Sequence, residues 1–160
     1  MSGTLVLTTA VLPEWIDYNG HLRDAYYAVA VSSGLDALMD VVGLDAAYRT
    51  NTHCTLYSVE MHLHWLKEVK APAQLALWAH VLDVDAKRLQ IGMDVKVTGL
   101  PEVVATAETM LVHVNQQPEV KVAAFPQAIL TMLQSLQQQH AATAWAGPRS
   151  RSLQIVRKSA

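Results

Sequence analysis

Cysteine occurs once in the 160 residues, at Cys54, so no intrachain disulfide can form and the side chain is expected to be a small buried hydrophobe. A reducing, cytoplasmic setting follows as the expectation. Dense basic clusters are also missing. The 12 Lys and Arg residues are balanced by 14 Asp and Glu, and the nearest thing to a patch is the scattered Arg149, Arg151, Arg157 and Lys158, which argues against nucleic acid as a partner. No apolar run reaches the about 18 residues of a membrane span. Met1 to Leu12 has neither the basic flank nor the apolar centre of a signal peptide, so no membrane partner is expected. The length suits one compact domain, expected over residues 1–145, with 146–160 read as a partly mobile tail holding Gly147, Pro148 and several serines.

What is present has a clear order. Thr4 to Leu12, rich in Leu, Val and Thr and stopped by Pro13, reads as a strand. Leu22 to Val42 reads as one long helix ending at Gly43. After Arg23 and Asp24 its only charges are Asp36 and Asp40, which predicts that protein covers most of its circumference. Gly34, in mid-helix, predicts close approach of a strand. A loop over Asp45 to Thr52 is followed by four strand-like stretches, His53 to Val69, Ala73 to Asp85, Leu89 to Thr98 and Val103 to Asn115. Breaks at Pro72, Asp85-Ala86-Lys87 and Gly99-Leu100-Pro101 suggest hairpins, hence an antiparallel meander. In the first stretch Tyr57, Val59, Met61, Leu63 and Trp65 alternate with Ser58, Glu60, His62 and His64, predicting one packed face and one polar face. Pro126 to His140 reads as an outer helix whose glutamines are solvated. The fold class is therefore α+β, an antiparallel sheet wrapped around one long buried helix, which is the hotdog arrangement.

Chemistry concentrates between Pro13 and Tyr27, in Pro-Glu-Trp-Ile-Asp-Tyr-Asn-Gly-His-Leu-Arg-Asp-Ala-Tyr-Tyr. Asp17 is ionised at neutral pH and suits attack on a carbonyl or orientation of a water. Backbone amides at the helix start, from Leu22, Arg23 and Asp24, are candidate oxyanion donors, because a first helical turn leaves its N–H groups unpaired. Gly20 lets backbone approach closely. The purely structural alternative is that Asp17 and Asn19 cap the helix and Gly20 makes a turn. His21 is equally a partner for Asp17 or the carbonyl oxygen and a structural donor. Glu60, His62 and His64 share a strand face whose spacing suits two metal ligands, yet no further ligand motif accompanies them and no metal is expected. Glu108 and His113 fall on opposite faces of their strand and do not serve one pocket.

The Asp-x-x-Gly-His run closed by Tyr27 resembles the active-site loop of hotdog acyl-CoA thioesterases of the 4-hydroxybenzoyl-CoA thioesterase type. Arg23 and Asp24 stand where that type has two asparagines. Trp15 to Tyr27, Thr55 to His62, Asp85 to Leu89 and Ala105 to Val114 are similar to a subfamily, the betainyl-CoA thioesterases of carnitine degradation. The resemblance implies hydrolysis of a short acyl-CoA, betainyl-CoA foremost, with Asp17 on the carbonyl and Glu60 as second choice. It implies no cofactor beyond the coenzyme A of the substrate, and a homodimer or homotetramer that builds its sites between protomers. Other aromatic or medium-chain acyl-CoAs, a non-catalytic acyl-CoA-binding module and an enoyl-CoA hydratase remain alternatives.

Aromatic residues number ten in the chain, yet Trp15, Tyr18, Tyr26 and Tyr27 fall within 13 positions. With Asn19 they are the expected substrate contacts, since aromatic faces hold a trimethylammonium group that cannot donate ordinary hydrogen bonds. Tyr26 and Tyr27 read equally as core. Lys67, Lys70, Lys87 and Arg88, at strand ends, are the candidates for the phosphates of coenzyme A.

Overall fold

The computed structural model describes residues 3–150 and 154–156. Its elements run β1 (Thr4–Ala10), a 3-10 turn (Pro13–Trp15), α1 (Asp24–Val41), α2 (Ala46–Thr52), β2 (Cys54–Trp65), β3 (Gln74–Val84), β4 (Arg88–Val97), β5 (Val103–Asn115), β6 (Lys121–Val122) and α3 (Gln127–Ala141). One antiparallel sheet has the order β1-β3-β4-β5-β2, with β6 on β5. This corrects the expected meander. β2 lies beside β5 and forms no hairpin with β3, because hydrophobic alternation fixes which face a strand buries and is silent about its neighbour. The expected loop after α1 is a short helix, α2, capped by Asp45, whose Oδ1 accepts from the Tyr48 amide at 2.8 Å.

The inner face of the sheet carries Leu75, Leu77 and Ala79 from β3, Leu89, Ile91, Met93 and Val95 from β4, and Ala105, Ala107 and Leu111 from β5. These pack with Ala30, Val31, Leu35 and Leu38 of α1 in one cluster, each large apolar side chain contributing about 1.5–3 kcal/mol. At Gly34 a Cβ would come within 2.8 Å of Leu77 Cδ2 and 3.2 Å of Met93 Cε, so the missing side chain is what lets α1 lie against β3 and β4. The helix is not covered all round, however. Ala25, Val29, Ser32, Ser33, Asp36 and Asp40 form an exposed stripe along its far side.

A bulge alters the expected faces of β2. Ser58 pairs with Leu111 and Glu60 with Met110, leaving Val59 as an extra residue. Paired residues point to the same side. Tyr57 therefore shares the outer face with Glu60, His62 and His64, while Ser58 goes inward with Met61 and Leu63. Cys54 is half-buried, its Sγ 3.5 Å from the Thr52 carbonyl.

α3 keeps Gln134, Gln138 and Gln139 in solvent and buries Leu133, Leu136 and His140. The described part of the tail lies on the outer face of the sheet. Arg149 Nε is 3.2 Å from the fully buried Glu108, the Ser150 amide donates to Glu108, and Ile155 packs on Met110. Just before it, Trp145 lies over Gly92 and donates from Nε1 to Asp94 Oδ1 at 2.6 Å. Residues 151–153 and 157–160, to which the expected tail extends, are outside the described residues.

Two buried histidines tie the fold to pH. His140 Nδ1 accepts from the Val81 amide at 2.9 Å, so the proton sits on Nε2, 3.1 Å from Thr4 Oγ1. His113 Nδ1 donates to the Ala123 carbonyl at 3.0 Å, and Nε2 accepts from the Tyr48 hydroxyl at 2.9 Å. Burial pushes both pKa values below 6.5, helped at His140 by the nearby His80. The unfolded chain then binds more protons than the folded one below that pH, so their stabilisation is full above about 6.5 and drains as pH falls through the lowered folded values. The thermal midpoint is accordingly expected to fall between about pH 7.5 and about pH 5.5 by differential scanning fluorimetry. A midpoint that held or rose over that interval would contradict this role for the two imidazoles.

Candidate active site

The segment between the 3-10 turn and α1 is a closed loop built on one carboxylate. Asp17 Oδ1 accepts from the Asn19 amide at 2.8 Å and the His21 amide at 3.0 Å. The Asp17 amide donates to the His21 carbonyl at 2.8 Å, and Gly20, at φ +79°, donates to the Asp17 carbonyl at 3.0 Å. That left-handed turn suits glycine, which has no Cβ to oppose it. The bond from His21, with that from Asn19, holds the Asp17 carboxyl below the ordinary aspartate value against a smaller opposing effect of burial. Oδ2 accepts none of the described hydrogen bonds. Asp17 thus closes its own loop and does not cap α1, whose N-cap is Arg23 with no side-chain bond.

Most of the amides around the helix start are already committed. Leu22 donates to the Val69 carbonyl at 2.7 Å and Arg23 to the Trp15 carbonyl at 2.9 Å. These bonds stitch the loop to the 3-10 turn and to the β2–β3 connection, and they remove two of the three expected oxyanion donors. The Asp24 amide, at the first position of α1, makes none of the described hydrogen bonds and lies at the positive end of the helix dipole.

Asp17 and Asp24 both line an open cavity of about 870 Å³. Its near wall is the loop and helix start, with Tyr18, Leu22 and Arg23. Its far wall is the end of β2, with Trp65, Leu66, Lys67 and Glu68, and Tyr27 lies between. Two bonds join the walls. Trp65 Nε1 donates to the Asp24 carbonyl at 3.3 Å, and the Tyr27 hydroxyl to the Lys67 carbonyl at 3.4 Å. Burial raises the Tyr27 pKa, so it remains a neutral donor.

Other expected site residues lie elsewhere. The His21 imidazole makes no hydrogen bond to Asp17 among the described residues and pairs with Glu68, its Nε2 3.1 Å from Oε2. Glu60 faces outward, 2.7 Å from His62 Nε2, and lies five residues along β2 from Trp65, about 17 Å of strand. Within one chain it does not reach Asp17. Trp15 stacks on Tyr26 at 5.4 Å and 12°, so the two rings spend a face on each other and neither lines the cavity. Asn19 is exposed on the loop and contributes its amide to Asp17. Lys67 lines the cavity, and Lys70 pairs with Glu68 beside it. Arg88 pairs with Val112, seven residues along β5 from the partner of Trp65, about 24 Å away, and its guanidinium is held by Asp85 at 2.9 and 2.6 Å. Lys87, its neighbour, is at the same remote end. Among the described residues no cluster of three His, Cys, Asp or Glu could hold a metal.

Trp65 and Glu68 are cavity residues that the sequence reading passed over. The signal was a tryptophan just before Leu66-Lys67-Glu68. Alternation turns it inward, and the charges after it mark where the sheet stops covering that face.

A sheet curled on one long helix is the hotdog arrangement, and comparison with known proteins gives the class, a hotdog-fold thioesterase. Residues 11–133 match the thioesterase-like superfamily, and the chain belongs to it. It is 40% identical to the betainyl-CoA thioesterase of Pseudomonas aeruginosa over 134 residues, 84% of each chain. It is also 38% identical over 125 residues to the L-carnitine dehydrogenase/betainyl-CoA thioesterase of Agrobacterium fabrum, of which it spans 25%. A Pseudomonas putida KT2440 structure of the thioesterase class superposes with a TM-score of 0.79 at 34% identity, covering 99% of both chains. A Staphylococcus aureus protein solved with CoA shares the fold, with a TM-score of 0.80 at 24% identity over 99% of this chain and 98% of that one.

The two amides on Oδ1 make a definite electrostatic prediction. In a carbon-detected NMR titration the Asp17 carboxyl is expected to reach its midpoint below 3.8, the ordinary aspartate value. A midpoint at or above that value would mean that the loop does not hold the charged form.

Proposed function

We propose that this thioester hydrolase cleaves betainyl-CoA to betaine and CoA, with Asp17 Oδ2 acting on the thioester carbonyl and the Asp24 amide receiving the oxyanion. The observation that carries the proposal is the pairing, in one cavity, of a carboxylate oxygen and a helix-start amide that are both left free by the bonds closing the loop. The substrate follows from the two relatives whose names specify betainyl-CoA.

Two routes use this geometry. In one, Oδ2 adds to the carbonyl carbon, the C–S bond breaks to release the CoA thiolate, and water hydrolyses the mixed anhydride. In the other, Oδ2 accepts a proton from a water whose oxygen adds to the same carbon, and the C–S bond then breaks to release the CoA thiolate, which takes up that proton. Either way negative charge moves onto the carbonyl oxygen, where a fixed N–H and the helix dipole stabilise it more than the neutral ground state. No cofactor is needed in either sequence. Lys67 and Lys70 flank the cavity and are the proposed contacts for the phosphates of CoA.

A homodimer or homotetramer is part of the proposal. It is supported by the unpaired edge of β2, which bears the exposed Val59 and Trp65, and by the exposed stripe of α1. Pairing there would close the open side of the cavity and bring a partner's outward residues, Glu60 included, toward it. No single helix among the described residues is long and apolar enough to cross a membrane. A cytoplasmic location is proposed on the unpaired Cys54.

Asp17→Asn keeps the loop's acceptor oxygen and removes the charge. Thiol release from betainyl-CoA is expected to fall about 10²- to 10⁴-fold with the circular dichroism spectrum unchanged. Wild-type turnover in that variant would exclude Asp17 as the reacting group and favour a module that binds acyl-CoA without cleaving it.

A further inference from the structure

Of the four aromatic residues expected to surround the acyl group, Tyr18 and Tyr27 line the cavity and Trp15 and Tyr26 do not. Trp15 and Tyr26 are stacked on each other, and Tyr27 is 2% exposed. Tyr18, at 94% exposure, lines the cavity with almost nothing packed against it. Trp65 differs from all of these. Trp65 is 54% exposed and lines the cavity, and its indole N–H is tied to the carbonyl of Asp24, the residue whose amide is the proposed oxyanion donor.

We infer that Trp65 is the specificity-determining residue for the acyl group, its ring forming the wall against which a quaternary ammonium is held. The inference rests on the proposed thioesterase reading of this site. In a betainyl thioester the cationic nitrogen is two bonds from the carbonyl carbon, so a carbonyl oxygen on the Asp24 amide keeps the trimethylammonium group within a few ångströms of that residue. The same residue anchors the indole by its carbonyl, so the oxyanion donor and the aromatic wall are positioned together. A trimethylammonium group has no N–H to donate, and an indole face is the strongest neutral surface a protein offers it. Asp17, Asp24 and Glu68 add carboxylates to the same walls. Charge alone would attract any cation; the fixed ring favours a methylated one placed beside the carbonyl.

The test compares two thioesters of nearly identical shape, betainyl-CoA and 3,3-dimethylbutyryl-CoA, in which a tert-butyl group replaces trimethylammonium. The readout is the ratio of their kcat/KM values in wild type, Trp65→Leu and Trp65→Phe. Trp65→Leu is expected to lower the betainyl preference about threefold to thirtyfold, and Trp65→Phe, which keeps a weaker π-face, to fall between. A ratio unchanged in both variants, with betainyl-CoA still cleaved, overturns the role of Trp65 and leaves the thioesterase reading standing. A wild-type enzyme that releases no CoA from betainyl-CoA while cleaving the tert-butyl thioester overturns both the inference and the proposed substrate. Loss of activity on both thioesters in equal proportion counts against Trp65 as a reader of charge, since a packing defect does not distinguish isosteres.

Discussion

Asp17 Oδ1 accepts the amides of Asn19 and His21, and much of the site depends on those two bonds. They keep the carboxylate charged, close the loop through the left-handed Gly20, and leave Oδ2 uncommitted. The loop then returns as a short antiparallel ladder, with Leu22 on Val69 and Arg23 on Trp15, which brings the chain to the start of α1 with one amide to spare. Asp17 serves the loop, and the helix end carries no side-chain cap.

The rest of the fold holds that arrangement still. α1 can lie on β3 and β4 because Gly34 removes the side chain that would strike Leu77 and Met93. The β2–β3 connection supplies Val69 to the loop, and the end of β2 supplies Trp65 and Lys67 to the opposite wall. The cavity therefore lies between a rigid helix start and a strand end, both anchored in the same core. On the outer face a different logic applies. Glu108 is fully buried, which is costly without partners, and Gln90, Arg149 and the Ser150 amide meet its oxygens.

Much of this was legible from residue patterns. β5 runs over Val103–Asn115 as alternation indicated, the helix is where apolar periodicity put it, and Gly34 marks a close strand contact. The loop at Asp17 stood out through the family resemblance; by spacing alone Asp, Asn and Gly also read as a helix cap and a turn, and the structure keeps the turn at Gly20 without the cap. Three things were not legible. β2 lies beside β5 by a long-range pairing that alternation does not encode, and its bulge at Val59 exchanges faces halfway along. The amides of Leu22 and Arg23 are spent on tertiary partners that no local pattern reveals. Clustering in sequence served only half of the aromatics, since Tyr18 and Tyr27 line the cavity, Trp15 and Tyr26 meet each other, and Trp65 reaches the cavity from a distant strand.

The proposed hydrolysis requires Asp17 Oδ2 and the Asp24 amide to face one reacting carbonyl. The most direct measurement is a crystal structure with a betainyl-CoA analogue in which a methylene separates sulfur from the carbonyl and prevents cleavage. The carbonyl oxygen is expected about 3 Å from the Asp24 amide nitrogen and its carbon about 3–3.5 Å from Asp17 Oδ2, or one water away. An analogue bound with its carbonyl against other donors, and Asp17 beyond the reach of a bridging water, would contradict it.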